Sequence, residues 1–203
     1  MRKKLVIITL AAVFLLASAT FVKVKNPFNW GIKPLMSADK QIPAGKRLEI
    51  SFSYDNLLTV ASNQFALWIE DMDGNYVDTL YVTRYTAGEG YRRRPQSISR
   101  WVASAEPGEM RANEIDAITG ATPKPGKYSV CWDFTDGGGN AAMDAEYRYF
   151  ITGTMYMYDN VLYSGILSAG NDSWEEYPQP EYTVPDSEYK AMLSDVRVAY
   201  CPN

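Results

Sequence analysis

The chain has 203 residues, of which 46% are hydrophobic and 22% charged, and this composition suits one compact domain with an apolar core. Its formal net charge of −4 argues against binding to nucleic acid or to an anionic membrane. The chain has no histidine, which excludes Ser-His-Asp and Cys-His catalysis, the usual zinc sites and histidine-ligated haem. We therefore expect no enzymatic activity from this chain alone.

Residues 1–19 have the pattern of a signal peptide. A basic start at Arg2–Lys4 precedes the apolar run Leu5–Leu16, and Ala17-Ser18-Ala19 fits the small-x-small rule for cleavage. The apolar run is only just long enough to span a bilayer, so a retained anchor is the alternative. We expect cleavage, a periplasmic or secreted protein, and no stable membrane insertion afterwards.

Residues 20–45 are predicted to be a linker or an extended lead-in. They contain Pro27, Pro34 and Pro43 and have no sustained hydrophobic period. The folded domain is expected over residues 46–203.

Alternating apolar and polar residues predict β-strands through most of the domain. The pattern occurs in RLEISFSYD, in NQFALWIED and NYVDTLYVTRY around an Asp-Gly turn, and in GKYSVCWDF, AEYRYFITGTMYMY and DVRVAYC. In the second strand of the hairpin, alternation places Leu80 and Val82 on one face and Tyr81 on the other.

Residues 86–125 lack clear periodicity, and an insertion of that length is usually functional or mobile. We find no convincing amphipathic helix. The pattern predicts an all-β fold, an immunoglobulin-like antiparallel β-sandwich of six to eight strands with a long insertion at about 86–125.

The insertion ends in DAITGATPKPG, which nearly matches a flavin-attachment tag of exported proteins. The pattern reads Asp-x-x-Ser/Thr-Gly-Ala-Thr/Ser-x-Ser/Thr, with the final hydroxyl taken as the acceptor of the flavin phosphate. The chain fits it at Asp116, Thr119, Gly120 and Thr122. Lys124 stands at the acceptor position and has no hydroxyl, so covalent flavin is not expected. We interpret the stretch as a turn leading into a strand, with a noncovalent contact between its backbone amides and an anion as the alternative.

A second candidate site is the stretch GYRRRPQSISRW. It contains Tyr91, Arg92, Arg93, Arg94 and Trp101. The guanidinium groups could hold a phosphate or carboxylate while the aromatic side chains stack on a planar ring, which would suit a flavin or an acidic partner. The alternative is that the arginines pair with acidic side chains of the same domain.

The two cysteines, Cys131 and Cys201, are far apart in the sequence, and an exported protein meets an oxidising compartment. A disulfide could tie the C-terminus to a core strand. Two free thiols are the alternative, because sequence does not show whether the Cα atoms come within reach.

Tyrosine is abundant, with 15 residues in the chain. An exposed strip for glycan or peptide could be formed by Tyr147, Tyr149, Tyr156, Tyr158 and Tyr163. Packing within the sandwich is favoured, because both faces of a sandwich strand accept tyrosine.

Two passages resemble a family of predicted periplasmic bacterial proteins that is catalogued only as a domain of unknown function. They are FALWIEDMDGNYVDTLYVTRYTAGEGYRRRP and DAITGATPKPGKYSVCWDFTDGGGN, and the resemblance runs from about Leu48 to Tyr200. The hairpin, the PGKYSVCWDFTDGGGN stretch and AEYRYFI are also similar to the Ig-like domain of flagellar hook-capping proteins. That similarity implies a β-sandwich and no particular chemistry.

Members of the unknown-function family tend to occur beside, or fused to, membrane flavoprotein reductases and flavin-carrying exported domains. By association, the resemblance implies a non-enzymatic accessory or interaction module of a periplasmic flavin-dependent electron-transfer system. A membrane flavoprotein reductase or another envelope protein would be its partner, and no cofactor is then required. One alternative is a redox carrier that binds flavin noncovalently through the Arg92–Trp101 loop. Another is an envelope or adhesion-type binding module.

Overall fold

A computed structural model of the protein describes residues 31–35, 45–56, 63–143, 145–154, 160–186 and 192–202. The predicted signal peptide lies outside these residues, as does most of the predicted lead-in. Within the lead-in, Ile32–Pro34 forms a short strand.

The described residues form eleven strands and three short helices, with a π-helical turn, Thr86–Gly90, before the first helix. The strands are β1 (Ile32–Pro34), β2 (Arg47–Tyr54), β3 (Gln64–Glu70), β4 (Tyr76–Thr83), β5 (Thr119–Gly120), β6 (Gly126–Trp132), β7 (Glu146–Thr154), β8 (Asn160–Ser168), β9 (Trp174–Glu176), β10 (Glu181–Tyr182) and β11 (Leu193–Cys201). The helices are α1 (Tyr91–Arg93), α2 (Ser99–Ala105) and α3 (Ala112–Ile118).

The strands form the two sheets of a sandwich, which confirms the predicted β-sandwich, while its immunoglobulin-like character stays a prediction. Sheet A has the order β1-β6-β2-β11-β9, and sheet B has the order β10-β8-β7-β3-β4-β5. Both sheets are mixed, because β1 runs parallel to β6 and β5 runs parallel to β4. The short strands β1, β5, β9 and β10, of two or three residues each, raise the count above the predicted six to eight.

The core between the sheets is built from the inward faces of long strands. In β2, Leu48, Ile50 and Phe52 are buried. Leu48 and Ile50 each stand opposite one residue of β6 and one of β11, whereas Phe52 stands opposite a residue of β6. Burying an aliphatic or phenylalanine side chain of this size stabilises the fold by about 1.5–3 kcal/mol. The alternation of apolar and polar residues in RLEISFSYD therefore corresponds to a strand with one face buried in the core.

The insertion forms a third layer, which covers the outer face of sheet B. Its buried residues pack with outward-facing residues of β3, β4 and β7 in a second apolar cluster, made of Ala66, Trp68, Val82, Ala87, Ile98, Trp101, Ala105, Ile118 and Phe150. The Trp68 and Phe150 rings stack at 4.9 Å. We expected no helix here. Helices α2 and α3 have only seven residues each, which is too short for a helical period to emerge from the sequence.

Candidate functional site at the turn after β5

Strand β5 places the tag-like sequence at the edge of sheet B. Thr119 and Gly120 pair in parallel with Val82 and Thr83 of β4. The residue that follows β4 is Arg84, so this arginine lies beside the tag-like sequence, six residues before the GYRRRPQSISRW stretch. Sequence separation alone could not have shown this proximity.

An ion pair joins the two segments at the surface. The Arg84 Nη1 atom lies 3.8 Å from Asp116 Oδ1, and the two side chains are 69% and 68% exposed. At that distance and exposure, such a pair contributes between nothing and about 1 kcal/mol. Arg84 can therefore leave Asp116 for a stronger anion at little cost.

Gly120 lies directly against the ring of Tyr81. A Cβ atom at position 120 would lie 2.6 Å from Tyr81 Oη and 2.7 Å from Cζ, closer than real Cβ contacts. The Tyr81 ring is buried and stacks on Phe65 with a centroid separation of 5.3 Å, so it has no free space to move into. Glycine is needed here for a close approach, whereas the sequence suggested that it was needed for a sharp bend.

Two tyrosine hydroxyls hold the turn that follows. The Tyr81 hydroxyl donates to the Ala121 carbonyl oxygen at 2.5 Å, and the Tyr128 hydroxyl donates to the Lys124 carbonyl oxygen at 2.7 Å. Burial raises the pKa of Tyr81 above its usual value, so this group remains a donor. Between these two anchored carbonyls lies Thr122, whose side chain is exposed.

The two threonines of the tag-like sequence have opposite environments. Thr119 is 2% exposed, and its Oγ1 atom is enclosed without a hydrogen-bond partner. Thr122 is exposed, and so is Lys124, which carries an amine in place of a hydroxyl. Thr122 is thus the residue of the stretch that offers a hydroxyl to solvent.

The arginines of α1 are exposed, and they differ in their partners. Arg93 Nη2 lies 2.5 Å from Glu89 Oε2, which agrees with pairing inside the domain. The Arg92 Nε atom donates to the Tyr91 hydroxyl at 2.8 Å. Because that phenol is neutral, the contact does not neutralise the positive charge of Arg92, which stays available to an anion.

Arg94 follows α1 and is half-buried. Its guanidinium carbon lies 6.0 Å from the centroid of the Tyr85 ring. That separation is at the outer limit of a cation–π contact.

Trp101 does not lie at the surface. It is fully buried in the second cluster, and its indole Nε1 donates to Thr79 Oγ1 at 2.9 Å. This position differs from the expectation that Trp101 stacks on a ligand, because the ring fills the space between α2 and sheet B. Its role is to hold the insertion onto the sandwich.

The proposed tyrosine strip is not a surface feature where the structure describes it. Tyr147, Tyr149 and Tyr163 are buried in the core between the sheets. Tyr156 and Tyr158 lie outside the described residues. The favoured prediction, packing within the sandwich, is therefore confirmed for these three tyrosines, whose rings face the opposite sheet, and the alternative of an exposed strip is wrong for them.

Cys131 and Cys201 are free thiols on the two strands that flank β2. In the register, Cys131 stands opposite Glu49, and Cys201 stands opposite Arg47. Two strand spacings of about 4.8 Å separate them, and a disulfide requires Cα atoms within about 7 Å. Of the two possibilities that the sequence left open, the structure has the two free thiols and not the disulfide.

A cleft of about 790 Å³ opens between the insertion, the turn of the β3–β4 hairpin and the loop that joins β6 to β7. Its lining includes the carboxylates of Asp71, Glu106, Glu109, Glu114 and Asp136. Arg111, which also lines the cleft, pairs with the carboxylate of Glu114 at 2.6 Å. The remaining acidic charge disfavours a phosphate in this cleft.

Among the described residues, no cluster of three or more Cys, Asp or Glu side chains has an arrangement that could hold a metal ion. None of the helices in the described part of the chain has the length and apolar character needed to span a membrane.

A family model described as "Predicted periplasmic protein (DUF2271)" matches residues 47–154, just over half of the chain. The chain belongs to this family. It is accordingly a periplasmic protein, as the sequence resemblance implied. The matched region runs from β2 to the end of β7 and contains both the insertion and the turn after β5. No curated protein and no solved structure matches the chain, so the similarity to hook-capping Ig-like domains stays a prediction.

Sequence reasoning missed three residues of the site: Arg84, Tyr81 and Tyr128. Tyr81 and Tyr128 looked like ordinary strand residues, since nothing in the alternation marks a hydroxyl that reaches a turn. Arg84 could have been found only by knowing that β5 pairs with β4.

Proposed function

We propose that this periplasmic protein is a non-enzymatic module of a flavin-dependent electron-transfer system. It contacts the flavin nucleotide at the surface formed by Arg84 and the turn after β5. The observation that carries the proposal is the pairing of β4 with β5, which sets the tag-like sequence beside Arg84.

The chemistry of a flavin nucleotide matches the groups at this surface. Its phosphate is anionic, and an arginine guanidinium can hold phosphate through two charge-assisted hydrogen bonds. Among the described residues, the ion-pair partner of Arg84 is exposed Asp116, at 3.8 Å. The Arg84 guanidinium can therefore turn to a phosphate without breaking a strong ion pair.

A module of this kind needs no catalytic residue of its own. The isoalloxazine ring performs the electron transfer, while the protein supplies binding, orientation and electrostatics. The absence of histidine from the chain is compatible with that division of labour. The proposed partner is a membrane flavoprotein reductase or another envelope protein that exchanges electrons with the flavin.

The proposal is tested by titrating the full chain with FMN and with riboflavin, which lacks the phosphate, and following flavin fluorescence. We expect saturable FMN binding that is about tenfold tighter than riboflavin binding, the equivalent of one charge-assisted hydrogen bond of about 1.4 kcal/mol. Arg84→Ala should remove most of that difference. The matched control is Arg111→Ala, which deletes an exposed arginine at the acidic cleft and should leave FMN binding unchanged.

Absence of saturable binding of both FMN and FAD would contradict the proposal. Equal affinity for FMN and riboflavin would contradict the role of the arginine surface. Weakening of FMN binding by high salt, as expected for exposed charges, gives an independent check.

A further inference from the structure

We propose that the cleft between the insertion, the β3–β4 turn and the β6–β7 loop is a docking site for a segment of a partner protein. That segment is extended and carries lysine or arginine side chains around an apolar residue. The lining of the cleft shares no residue with the surface proposed for flavin, so the inference goes beyond the proposed function and does not depend on it.

The first argument is the apolar base of the cleft. Ala105, Ile118 and Tyr147 line the cleft and are buried, so they form its base. Half-buried Tyr76 and Met110 continue the apolar surface towards the opening. The volume of about 790 Å³ lies within the range of about 300–1,000 Å³ that is usual for binding clefts. An occupant that fills this cleft therefore carries an apolar group.

The second argument is a methionine side chain at the mouth of the cleft. Met143 is 87% exposed, more than any other large hydrophobic side chain in the described part of the chain. A single exposed apolar residue is ordinary, but Met143 lines the cleft together with Ala142 and so adjoins its apolar base. The flexible, polarisable side chain of methionine adapts to the shape of a partner. This position favours contact with an apolar side chain of the occupant.

The third argument is the sign of the charge and its distribution. One cation, Arg111, lines the cleft together with five carboxylates, those of Asp71, Glu106, Glu109, Glu114 and Asp136. The two aspartates belong to the hairpin turn and the β6–β7 loop, and the three glutamates belong to the insertion. Negative charge therefore stands on both sides of the apolar base. A segment with cations on either side of an apolar residue matches this pattern, whereas a single small cation would meet one side.

Two of these carboxylates stay ionised because of their turns. Although partial burial opposes it, hydrogen bonds from Asn75 hold the pKa of Asp71 below its usual range. Hydrogen bonds from Asn140 likewise lower the pKa of Asp136. Since the donors are neutral, both negative charges remain available to a cation.

Glu106 and Glu109 are the two glutamates of the cleft that do not pair with Arg111. Arg111 lies 2.6 Å from Glu114, and among the described residues neither Glu106 nor Glu109 forms an ion pair. Both are exposed. A docked cation would therefore gain a partner without displacing one.

Local stability does not account for a glutamate at position 106. Glu106 follows α2 with a left-handed backbone, φ 46°, a conformation in which glycine is usual. Its negative charge also lies at the C-terminal end of a helix, where the helix dipole disfavours it. Residues that break local preferences in this way are expected at functional positions. A cationic partner supplies the reason for a carboxylate here.

The test titrates the full chain into a fluorescently labelled, end-blocked peptide, Lys-Leu-Lys-Leu-Lys, and follows anisotropy. We expect saturable binding that is at least about tenfold tighter than binding of Lys-Ser-Lys-Ser-Lys, because burying part of a leucine side chain is worth that factor. Glu-Leu-Glu-Leu-Glu should not bind. Salt should weaken the binding of the first peptide, since its lysines meet exposed carboxylates.

Variants place the peptide in the cleft. Combining Glu106→Gln with Glu109→Gln should weaken binding by about tenfold or more, because charge-assisted hydrogen bonds are lost. The matched control combines Asp172→Asn with Glu181→Gln, which changes the net charge equally at exposed acids outside the cleft. Its affinity should stay within about twofold of wild type, since distant exposed charges are screened.

Glu106→Gly separates the loss of a carboxylate from misfolding. Glycine suits a left-handed backbone, so this variant should unfold at the same temperature as the wild type or higher, while it binds the peptide more weakly. Methyl-labelled methionine gives an independent readout. The Met143 methyl resonance, assigned by its loss in Met143→Leu, should shift when the peptide binds.

Four results would overturn the inference. They are no saturable binding of Lys-Leu-Lys-Leu-Lys, equal binding of the serine peptide, equal affinities of the cleft variant and its control, and an unmoved Met143 methyl resonance. Spermidine binding as tight as that of the peptide would replace the protein segment with a small polycation. A dimer in sedimentation without peptide, which the cleft variant dissociates, would assign the cleft to a second copy of the chain and would also overturn it.

Discussion

Gly120 lies against the buried ring of Tyr81, where a Cβ atom would come within 2.7 Å of Cζ. The same tyrosine donates its hydroxyl to the carbonyl oxygen of Ala121, the next residue along the turn. One side chain therefore determines both how closely β5 approaches β4 and where the turn begins. The position of Thr122 follows from this contact between residues that are about 40 positions apart.

Gly120→Ala should destabilise the fold, because the added methyl group must displace the packed Tyr81 ring. Overpacking of this kind costs about 1–3 kcal/mol, which lowers the unfolding temperature by several degrees in a chain of this size. Chemical unfolding of the variant measures the loss. Gly170→Ala is the matched control, since no heavy atom lies within 4 Å of its added Cβ, and its stability should change by less than about 0.5 kcal/mol. Equal stabilities of the two variants would show that Tyr81 does not pack as described.

Trp101→Ala should cost about 3–5 kcal/mol, because a fully buried indole leaves a large cavity under the insertion. It also removes the donor that reaches Thr79 Oγ1. Urea unfolding monitored by circular dichroism gives the loss, and Ser99→Ala at the exposed start of the same helix should have almost no effect. A mild effect of Trp101→Ala would mean that the insertion is a mobile loop, as its sequence suggested, and not a packed layer.

The pH dependence of stability should include a contribution from Asp136 in the turn before β7. Hydrogen bonds from the backbone and side chain of Asn140 and from backbone N–H groups of the turn hold the pKa of this carboxyl below its usual range. Because the pKa is lower in the folded state, the stabilisation is present above the unfolded value of about 3.9 and is lost as the pH falls through the folded value. In urea unfolding from pH 2 to 7, the midpoint of the wild type should therefore exceed that of Asp136→Asn near neutral pH. The two midpoints should approach each other only in acid. Asp172→Asn, an exposed acid elsewhere, controls for the change in net charge. Parallel curves for wild type and Asp136→Asn at every pH would refute this assignment.

Both cysteines should remain thiols in the purified protein, since they lie on either side of β2. Alkylation in denaturant without reductant should add two labels per chain, and a chain that takes up none would contradict the strand register. Burial raises the pKa of Cys131 to about 11, so in the native protein this thiol should react slowly with iodoacetamide at pH 8. Denaturation at the same pH should speed its labelling.

The sequence predicts the sandwich well, because long strands with one buried face keep a period of two. Residues Leu48, Ile50 and Phe52 illustrate this, and β3 and β6 behave in the same way. The prediction fails at β4, where alternation placed Leu80 with Val82 and opposite Tyr81. The register shifts between Leu67 and Trp68, so Leu80 and Tyr81 both join the core between the sheets, while Val82 joins the second cluster.

The candidate site shows the same limit. Sequence patterns identified the tag-like stretch and the arginines, since both depend on residues close together in the chain. Patterns could not show that Thr119 is enclosed and Thr122 exposed, or that Trp101 is buried, because these facts depend on how the insertion folds back over sheet B. Two-residue β5, which brings the segments together, is too short to have any periodicity.

The most direct test of flavin dependence is the visible absorption spectrum of the protein exported by flavin-replete cells and purified under native conditions. We predict the two flavin bands in the wild-type protein and weaker bands in Arg84→Ala. A wild-type chain that is colourless, and that gives no saturable response to FMN, would contradict the account.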